Sequence, residues 1–267
     1  MQKNILVVTP TLGNRITLQR TVNSVREIGK AQVKHVIVAP HNAINQLQKE
    51  YPDVECIAEP NNSKGIYSAL NYAFNKYGHE YEYMTFINDD DYWLPEFKNL
   101  IDTLSKHPNI DFVYGRTRYV DENNNTIGTQ TSSNQFKKFI PLLKSNIVLL
   151  TQQATIIKSN LFFKVGGFNE NYKLAADTKL WAEISLLNIT FKYINKVCAA
   201  YMVQKEQLSS DNVKQKSEHI RLINEYIHIK KSLSSVLQYR ISNIFIYIKR
   251  LFNQKGYINN PLSRNHN

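Results

Sequence analysis

Three consecutive carboxylates, Asp89, Asp90 and Asp91, follow an apolar run and precede Pro95 in the stretch INDDDYWLP. Like charges at this spacing repel one another, so either solvent or a cation must stabilise them. One explanation is a solvated turn that caps the following helix. The other is a site for a hard divalent cation, because carboxylate and amide oxygens suit Mg²⁺ or Mn²⁺, whereas zinc prefers Cys and His ligands. The spacing alone leaves both explanations open.

The chain around this cluster alternates between short apolar runs and helical patterns. Four segments are predicted strands: NILVVTP, KHVIVAP, VECIAEP and YEYMTFIN. Alternation of this kind is typical of an α/β fold with a mostly parallel sheet covered by helices on both faces. Ligands of such sheets bind at the carboxyl ends of the strands. Residues 9–15, 40–41, 59–65 and 88–91 all fall at that edge.

The second half of the chain is predicted to be less regular. A helix is expected after Pro95, then two strands around an Asn-rich turn, a helix over residues 136–147 and a strand at ATIIK. A short helix ended by Gly166 and Gly167 follows. DTKLWAEISLL predicts another helix, and ITFKYIN and VCAAYMV predict two more strands. A carboxylate at the start of a helix, such as Asp177, is also what an N-cap requires.

Composition limits the classes of protein to consider. The 267 residues are 42% hydrophobic, which is enough for a substantial core and excludes a disordered chain. The opening MQKNILVVTP has an apolar run too short for a secretory signal, and no segment reaches the length of a membrane span. Cys56 and Cys198 lie far apart in apolar stretches, which indicates reduced core thiols. We therefore expect a cytoplasmic protein, or one peripheral to the inner face of the cell membrane.

Four ordered segments resemble family 2 glycosyltransferases of the GT-A fold. They are VVTPTLGNR, AEPNNSKGIYSALN, FINDDDYWLP and TQQATIIKSNLFFKVGGFNENYKLAADTKLW. The resemblance implies a Rossmann-like α/β GT-A fold whose mostly parallel central sheet has helices on both faces, with a C-terminal helical extension. It implies a catalytic domain at 1–212, with a nucleotide-binding half at 1–95 and an acceptor-binding half at 96–212. Residues 213–267 would form a basic amphipathic helical tail.

The same resemblance implies a role for individual residues. The donor-binding set is Thr9, Pro10, Thr11, Arg15, His41, Lys64, Gly65, Asn71, Asp89 and Asp90. Asp91 matches the last acid of a DXD-type motif and is expected to bind Mn²⁺ or Mg²⁺ together with Asp89. Asp177 matches the catalytic base, although an N-cap role remains the alternative. Tyr92 and Trp93 would either form a platform for the sugar or pack beneath the loop.

The family resemblance also implies an activity. Similar proteins transfer sugars from nucleoside diphosphate donors during assembly of bacterial surface polysaccharides. We expect a metal-dependent, inverting hexosyltransferase that moves a sugar, from UDP-sugar in the first instance, to a hydroxyl of a glycan or lipid-linked glycan acceptor. A sugar-phosphate nucleotidyltransferase is an alternative, although TPTLGNR has only one glycine for a phosphate loop. A catalytically inactive nucleotide-sugar-binding paralogue is another alternative, because Pro40, His41, Gln152 and Lys179 depart from the family pattern.

Most of the positive charge lies near the C-terminus. Ten Lys and Arg against two Glu in residues 213–267 supply +8 of the net charge of +11. Apolar residues recur there at three- and four-residue steps from Leu233 to Phe252, which predicts one amphipathic helix. Residues 233–255 are expected to contact an anionic membrane surface, or else to pack on the catalytic domain or on a second copy in a homo-oligomer. No recognition motif indicates nucleic acid binding.

Overall fold

The structure is a computed structural model that describes residues 4–63, 65–204 and 212–252. The strands are β1 Ile5–Pro10, β2 Val33–Ala39, β3 Glu55–Ala58, β4 Tyr83–Phe86, β5 Tyr92–Trp93, β6 Phe112–Val120, β7 Thr126–Thr129, β8 Thr155–Lys158 and β9 Phe191–Met202. The helices are α1 Leu18–Gly29, α2 Ile44–Glu50, α3 Ile66–Tyr77, α4 Lys98–Lys106, α5 Phe139–Leu143, α6 Ser159–Lys164, α7 Ala176–Ser185, α8 Asn212–Glu225, α9 Leu233–Ser242 and α10 Ile244–Phe252.

One mixed, nine-stranded sheet organises these elements in the order β3-β2-β1-β4-β8-β6-β9-β5, with β7 paired to β6. The first four strands are parallel, as the alternation of strands and helices predicts. Strand β8 runs antiparallel to both β4 and β6, and β6 is parallel to β9. Because β4 pairs with β8, a single sheet joins the strands before Pro95 to those after it.

Helices cover both faces of the sheet, as expected for continuously apolar strands. Strand β1 is buried at every position. Its residues alternate between two cores: Leu6 and Val8 lie in the largest cluster, with α3 and α7, whereas Ile5 and Val7 lie in a second cluster, with α4. This alternation follows from the two-residue period of a strand. The carboxyl end of β1 is thereby fixed from both sides.

Three details of the second half differ from the sequence-based predictions. ITFKYIN and VCAAYMV are parts of a single strand, β9, whose register against β6 shifts around Arg116. The helix predicted over 136–147 is limited to α5 and a 3₁₀ turn before it, and Asn146 has a φ of 58° that no α-helix contains. The two-residue strand β5 was not predicted; Tyr92 and Trp93 pair with β9 directly after the carboxylates.

Helices α8 and α9 pack on the rest of the chain. Leu222, Tyr226 and Tyr239 of this region belong to the largest core cluster. The helix predicted from Leu233 to Phe252 is divided at Asn243, whose side chain accepts from Ser132 N at 3.1 Å and donates to Ser132 O at 2.9 Å. In the described parts of the chain, every helix is too short or too polar to cross a bilayer.

Candidate functional site

A cavity of about 230 Å³ lies at the carboxyl ends of β1 and β4. Two polar walls define it, and we name them by their residues. The acidic wall consists of Arg15, Asn88, Asp89 and Asp90, and the helix wall consists of Lys173, Leu174, Asp177, Thr178 and Gln215. The remaining lining residues are Pro10, Ile66, Tyr67, Phe86, Val148, Leu150, Thr151, Gln152, Gln153 and Tyr201.

The acidic wall concentrates two carboxylates around one guanidinium. Arg15 Nε lies 3.4 Å from Asp89 Oδ1, and Arg15 Nη1 lies 3.7 Å from Asp90 Oδ2. The Thr11 hydroxyl donates to Asp89 Oδ2 at 2.6 Å, and Gly13 N donates to Thr11 Oγ1 at 3.0 Å. Burial raises the pKa of Asp89 to about 6, even though Thr11 and Arg15 act in the opposite direction. The loop after β1 therefore holds the carboxylates in place.

Asp91 lies beneath this wall and is not part of the cavity lining. Its side chain is fully buried. Oδ1 accepts from Met202 N at 2.9 Å, and Oδ2 accepts from Gln153 Nε2 at 2.8 Å and from Asn88 Nδ2 at 3.4 Å. Protein donors thus engage both oxygens of Asp91, and its role as a cation ligand stays a prediction. Burial raises the pKa of Asp91 well above its ordinary value.

Three amides line the cavity: Asn88, which belongs to the predicted ligand edge at 88–91, and Gln152 and Gln153, which were not predicted as site residues. Asn88 Oδ1, Gln153 Oε1 and both polar atoms of Gln152 are buried and have no hydrogen-bond partner among the described residues. Buried polar atoms of this kind are normally satisfied by a protein group, by water or by a ligand. The sequence signal was the polar pair in TQQATIIK, directly before β8.

On the helix wall, Asp177 occupies the first turn of α7. Its Oδ1 accepts from its neighbour Thr178 N at 2.6 Å, so the carboxylate also satisfies a free amide of the helix start. The Tyr67 hydroxyl from α3 is a second hydrogen-bond partner. Burial raises the pKa of Asp177 despite these stabilising contacts. A half-buried carboxylate with a raised pKa at a cavity wall is suited to accept a proton.

Several predicted donor-binding residues lie away from the cavity lining. Thr9 is fully buried and its hydroxyl pairs with His35 Nε2 at 2.8 Å. His41 and Gly65 are exposed at loop positions after β2 and before α3. Lys64 lies outside the described residues.

Asn71 also lies outside the lining and instead connects α3 to the loop before α7. It accepts from Phe168 N and donates to Phe168 O and Glu170 Oε1, each at 2.9 Å. Gly167 in that loop has a φ of 74°, and a Cβ there would lie 2.9 Å from Asn71 Oδ1. Glycine is therefore required by conformation and by space. Asn71 thus positions the chain segment that leads to the helix wall.

The aromatic pair after the carboxylates packs inside the protein and does not form a platform for a sugar. Trp93 stacks on Phe97 with ring centroids 3.7 Å apart. Arg20 Cζ lies 4.3 Å from the centroid of the Tyr92 ring, and the Tyr92 hydroxyl donates to Asn124 Oδ1. Both rings are buried. They support the acidic loop from below.

The residues of the acidic wall fit a hard divalent cation that is completed by a ligand. In the described part of the chain, no group of three or more His, Cys, Asp or Glu side chains could enclose a metal ion. Asp89 and Asp90 nevertheless provide two carboxylates at the cavity, and the unpartnered Asn88 Oδ1 adds a neutral oxygen beside them. Mg²⁺-type sites commonly use one or two carboxylates and leave the other positions to water and substrate phosphates.

Comparisons with known proteins agree on the type of fold. A family model described as glycosyl transferase family 2 matches residues 6–169. No curated protein matches the chain. The crystal structure of S. aureus TarS superposes with a TM-score of 0.60 at 17% identity, over 93% of this chain and 43% of TarS. This chain therefore spans less than half the length of that protein.

Two further structures contain ligands. One is S. aureus TarS 1-349 in complex with UDP-GlcNAc, with a TM-score of 0.62 at 17% identity over 94% of this chain and 76% of that one. The other is the mannosyltransferase PcManGT from Pyrobaculum calidifontis in complex with GDP-Man and Mn²⁺, with a TM-score of 0.59 at 14% identity over 94% and 72%. At these identities the likeness concerns the fold, and it confirms the predicted GT-A architecture.

Proposed function

The chain belongs to glycosyl transferase family 2, and we propose that it transfers a hexosyl group from a nucleoside diphosphate sugar to a hydroxyl of a glycan or lipid-linked glycan, with inversion. One observation carries this proposal: a single cavity combines two carboxylates, Asp89 and Asp90, with a separate carboxylate of raised pKa, Asp177. A glycosyl transfer needs both functions, because a diphosphate leaves while a hydroxyl loses its proton.

The acidic wall is the proposed donor site. Asp89 and Asp90, assisted by Asn88, would hold Mn²⁺ or Mg²⁺ against the donor diphosphate. The cation would supply charge stabilisation to the departing nucleoside diphosphate. Arg15 lies between the two carboxylates and is positioned to contact the same phosphates. One of the similar solved structures contains UDP-GlcNAc and another contains GDP-Man with Mn²⁺. This supports testing uridine and guanosine donors first.

Asp177 is the proposed general base. Its Oδ1 is engaged by Thr178, and the proposed task of the carboxylate is to accept the proton of the attacking hydroxyl. The raised pKa makes this carboxylate a stronger base than an exposed one. Because base and leaving group belong to different walls of one cavity, a single displacement with inversion at the anomeric carbon fits the arrangement.

The first experiment separates binding from chemistry. Calorimetry with UDP, GDP and dTDP, each with and without Mn²⁺, identifies the nucleotide and tests the metal requirement. We expect Asp90→Asn to weaken metal-dependent nucleotide binding and Asp177→Asn to leave it within about twofold while lowering transfer by about 10²–10⁴-fold.

Four outcomes would contradict the proposal. Absence of nucleotide binding would exclude a donor site in this cavity. Full transfer activity in Asp177→Asn would exclude that residue as the base. Nucleotide binding without transfer to any glycan acceptor would indicate the inactive paralogue, and release of pyrophosphate from a nucleoside triphosphate would indicate a nucleotidyltransferase.

We also propose that α9 and α10 contact an anionic membrane surface. The inward face of α9 uses Tyr239, whose hydroxyl donates to Thr131 at 2.7 Å. Three exposed residues of α9 form an apolar stripe at i, i+4 and i+8: Leu233, Leu237 and Ile241 are 86%, 61% and 61% exposed. Helix α10 exposes three further apolar residues, Ile244, Phe245 and Ile248.

The charges beside this surface favour lipid as its occupant. Lys230, Lys231 and Arg240 are exposed next to the apolar residues. Basic residues beside an apolar helix face suit an interface with anionic headgroups.

Vesicle flotation tests the membrane proposal. We expect the protein to float with phosphatidylglycerol-containing vesicles, and the double variant Leu237→Ser, Ile241→Ser to sediment. Leu186→Ser is the matched control, because Leu186 is an exposed apolar residue at the end of α7. The membrane proposal would be contradicted if the double variant still floated, or if only the control lost flotation. If the wild-type protein is a dimer by sedimentation analysis and the double variant is a monomer, the apolar stripe binds a second copy of the chain.

A further inference from the structure

The side chain of Glu218 on α8 is buried, and backbone amides satisfy both of its carboxylate oxygens. Oε1 accepts from Lys173 N at 2.8 Å, and Oε2 accepts from Leu174 N at 2.8 Å and from Ala175 N at 3.0 Å. Hydrogen bonds to a charged acceptor are roughly twice as strong as neutral ones. Three of them to successive residues restrain one short segment of backbone.

That segment leads directly into α7. Ala175 is the N-cap position and has no side chain that could bond to the free amides of the helix start. From a different helix, Glu218 accepts instead from the amide of this N-cap residue and from the two amides before it. A carboxylate is the group that a helix N-terminus favours. The start of α7 is therefore fixed relative to α8, and Asp177 follows two residues after the N-cap.

Helix α8 is itself anchored by other contacts. Glu225, two turns beyond Glu218, lies 2.7 Å from Lys179 Nζ and accepts from the Tyr172 hydroxyl. Leu222 on the intervening turn is fully buried. Gln215, one turn before Glu218, lines the cavity. These contacts hold the face of α8 that carries Gln215 and Glu218 against residues 173–175.

We propose that Glu218 is a positioning residue for glycosyl transfer, which holds the backbone of residues 173–175 so that Asp177 meets the acceptor hydroxyl. The inference rests on the proposed function of Asp177 as the base and extends it to a residue that lies beyond the family match at 6–169. Asp177 is then restrained by Thr178 on its own helix, by Tyr67 on α3 and by Glu218 on α8.

Two variants at Glu218 should give a graded loss. Glu218→Gln keeps one carbonyl oxygen, which can serve Leu174 N and Ala175 N but leaves Lys173 N facing an amide group. Glu218→Ala leaves all three amides without a partner. Since a displacement of about 1 Å can cost about 10²-fold in rate, we expect kcat to fall about 10-fold in Glu218→Gln and about 100-fold in Glu218→Ala. The Kd for nucleotide should change by less than about twofold, because a positioning role acts on chemistry.

Glu225→Gln is the matched control. It weakens the anchoring of the same helix without touching residues 173–175, so we expect it to lower thermal stability and to retain kcat within about threefold. Hydrogen exchange supplies a readout that does not depend on activity: the amides of residues 173–175 should exchange faster in Glu218→Gln than in Glu225→Gln. If Glu218→Ala does not fold, Glu218→Gln and its exchange rates decide.

The outcomes separate this inference from the proposed function. Equal kcat in Glu218→Gln and Glu225→Gln, or unchanged exchange at 173–175, would overturn the positioning role. A parallel loss of nucleotide affinity and kcat would also overturn it, because that pattern indicates general disruption. A wild-type protein that binds nucleotide but transfers no sugar would refute the proposed function, and hydrogen exchange would still test the restraint.

Discussion

Removal of the Lys179 ammonium should destabilise the protein by separating α7 from α8. The side chain is 9% exposed, and its Nζ lies 2.7 Å from Glu225 Oε2, 2.9 Å from Glu183 Oε1 and 3.0 Å from the Tyr226 hydroxyl. Burial alone would lower the pKa of Lys179, but these contacts raise it above its ordinary value. Lys179→Met keeps the length of the side chain and removes the charge.

The magnitude follows from the exposure of the partners. Glu225 and Glu183 are 39% and 32% exposed, so each remains partly solvated when it loses the ammonium. We therefore expect a loss of about 2–3 kcal/mol in the free energy of unfolding, below the 3–5 kcal/mol that breaking a fully buried pair costs. For a chain of this size that corresponds to a decrease of about 4–10 °C in Tm.

Urea denaturation measures this loss, and an exposed ion pair provides the control. Arg26 and Asp53 lie 2.6 Å apart but are 44% and 54% exposed, so Arg26→Met should cost less than about 1 kcal/mol. The reasoning is refuted if the free energy of unfolding of Lys179→Met lies within about 0.5 kcal/mol of the wild-type value, or if it is no lower than that of Arg26→Met. Either result would show that the Lys179 contacts do not anchor α8.

Three further predictions concern the acidic wall, the buried Asp91 and the loop that leads to the helix wall. Burial raises the pKa of Asp89 from 3.8 to about 6. Between these pH values the folded protein binds a proton that the unfolded chain has lost, so the free energy of unfolding falls as pH rises. Asp89→Asn should remove up to about 3 kcal/mol of that fall, measured by urea denaturation at about pH 4 and pH 7. Asp91→Ala leaves three donors unpaired and should cost about 2–4 kcal/mol in metal-free buffer, whereas a pure cation ligand would alter only the Mn²⁺ titration. Gly167→Ala should lower Tm, as its φ and the contact with Asn71 both oppose a Cβ, and an unchanged melting curve would show that the loop relaxes.

The sequence predicted the parts of the fold that depend on local periodicity. Strands β1 to β4 and the helices between them follow from apolar runs that alternate with helical spacing, and the parallel order follows from that alternation. The sequence did not show that two apolar segments form one strand, because the bulge of β9 depends on its pairing with β6. It also could not show that Asn243 divides the last helices, since that break depends on Ser132, more than a hundred residues earlier.

At the site, residue types were predicted better than their orientations. The acidic triplet marked the correct edge of the sheet, but three adjacent carboxylates give no indication of which one faces inward. Hydrogen bonds from Met202, Gln153 and Asn88 decide this for Asp91, and two of these residues lie more than sixty positions away in the chain. Glu218 was counted only as part of the charge of a basic tail, because its amide partners become visible only in the folded chain.

The two walls of the cavity depend on different parts of the chain, and this has a consequence for specificity. The acidic wall is built within the first half and supported by buried groups such as Trp93. The helix wall is held through Asn71 on one side and through Glu218 on the other. A change in α8 can therefore alter the position of Asp177 and the cavity surface at Gln215 while leaving Asp89 and Asp90 in place. If donor chemistry belongs to the acidic wall, acceptor choice should vary with substitutions in α8, and Gln215 is the residue at which to look for it.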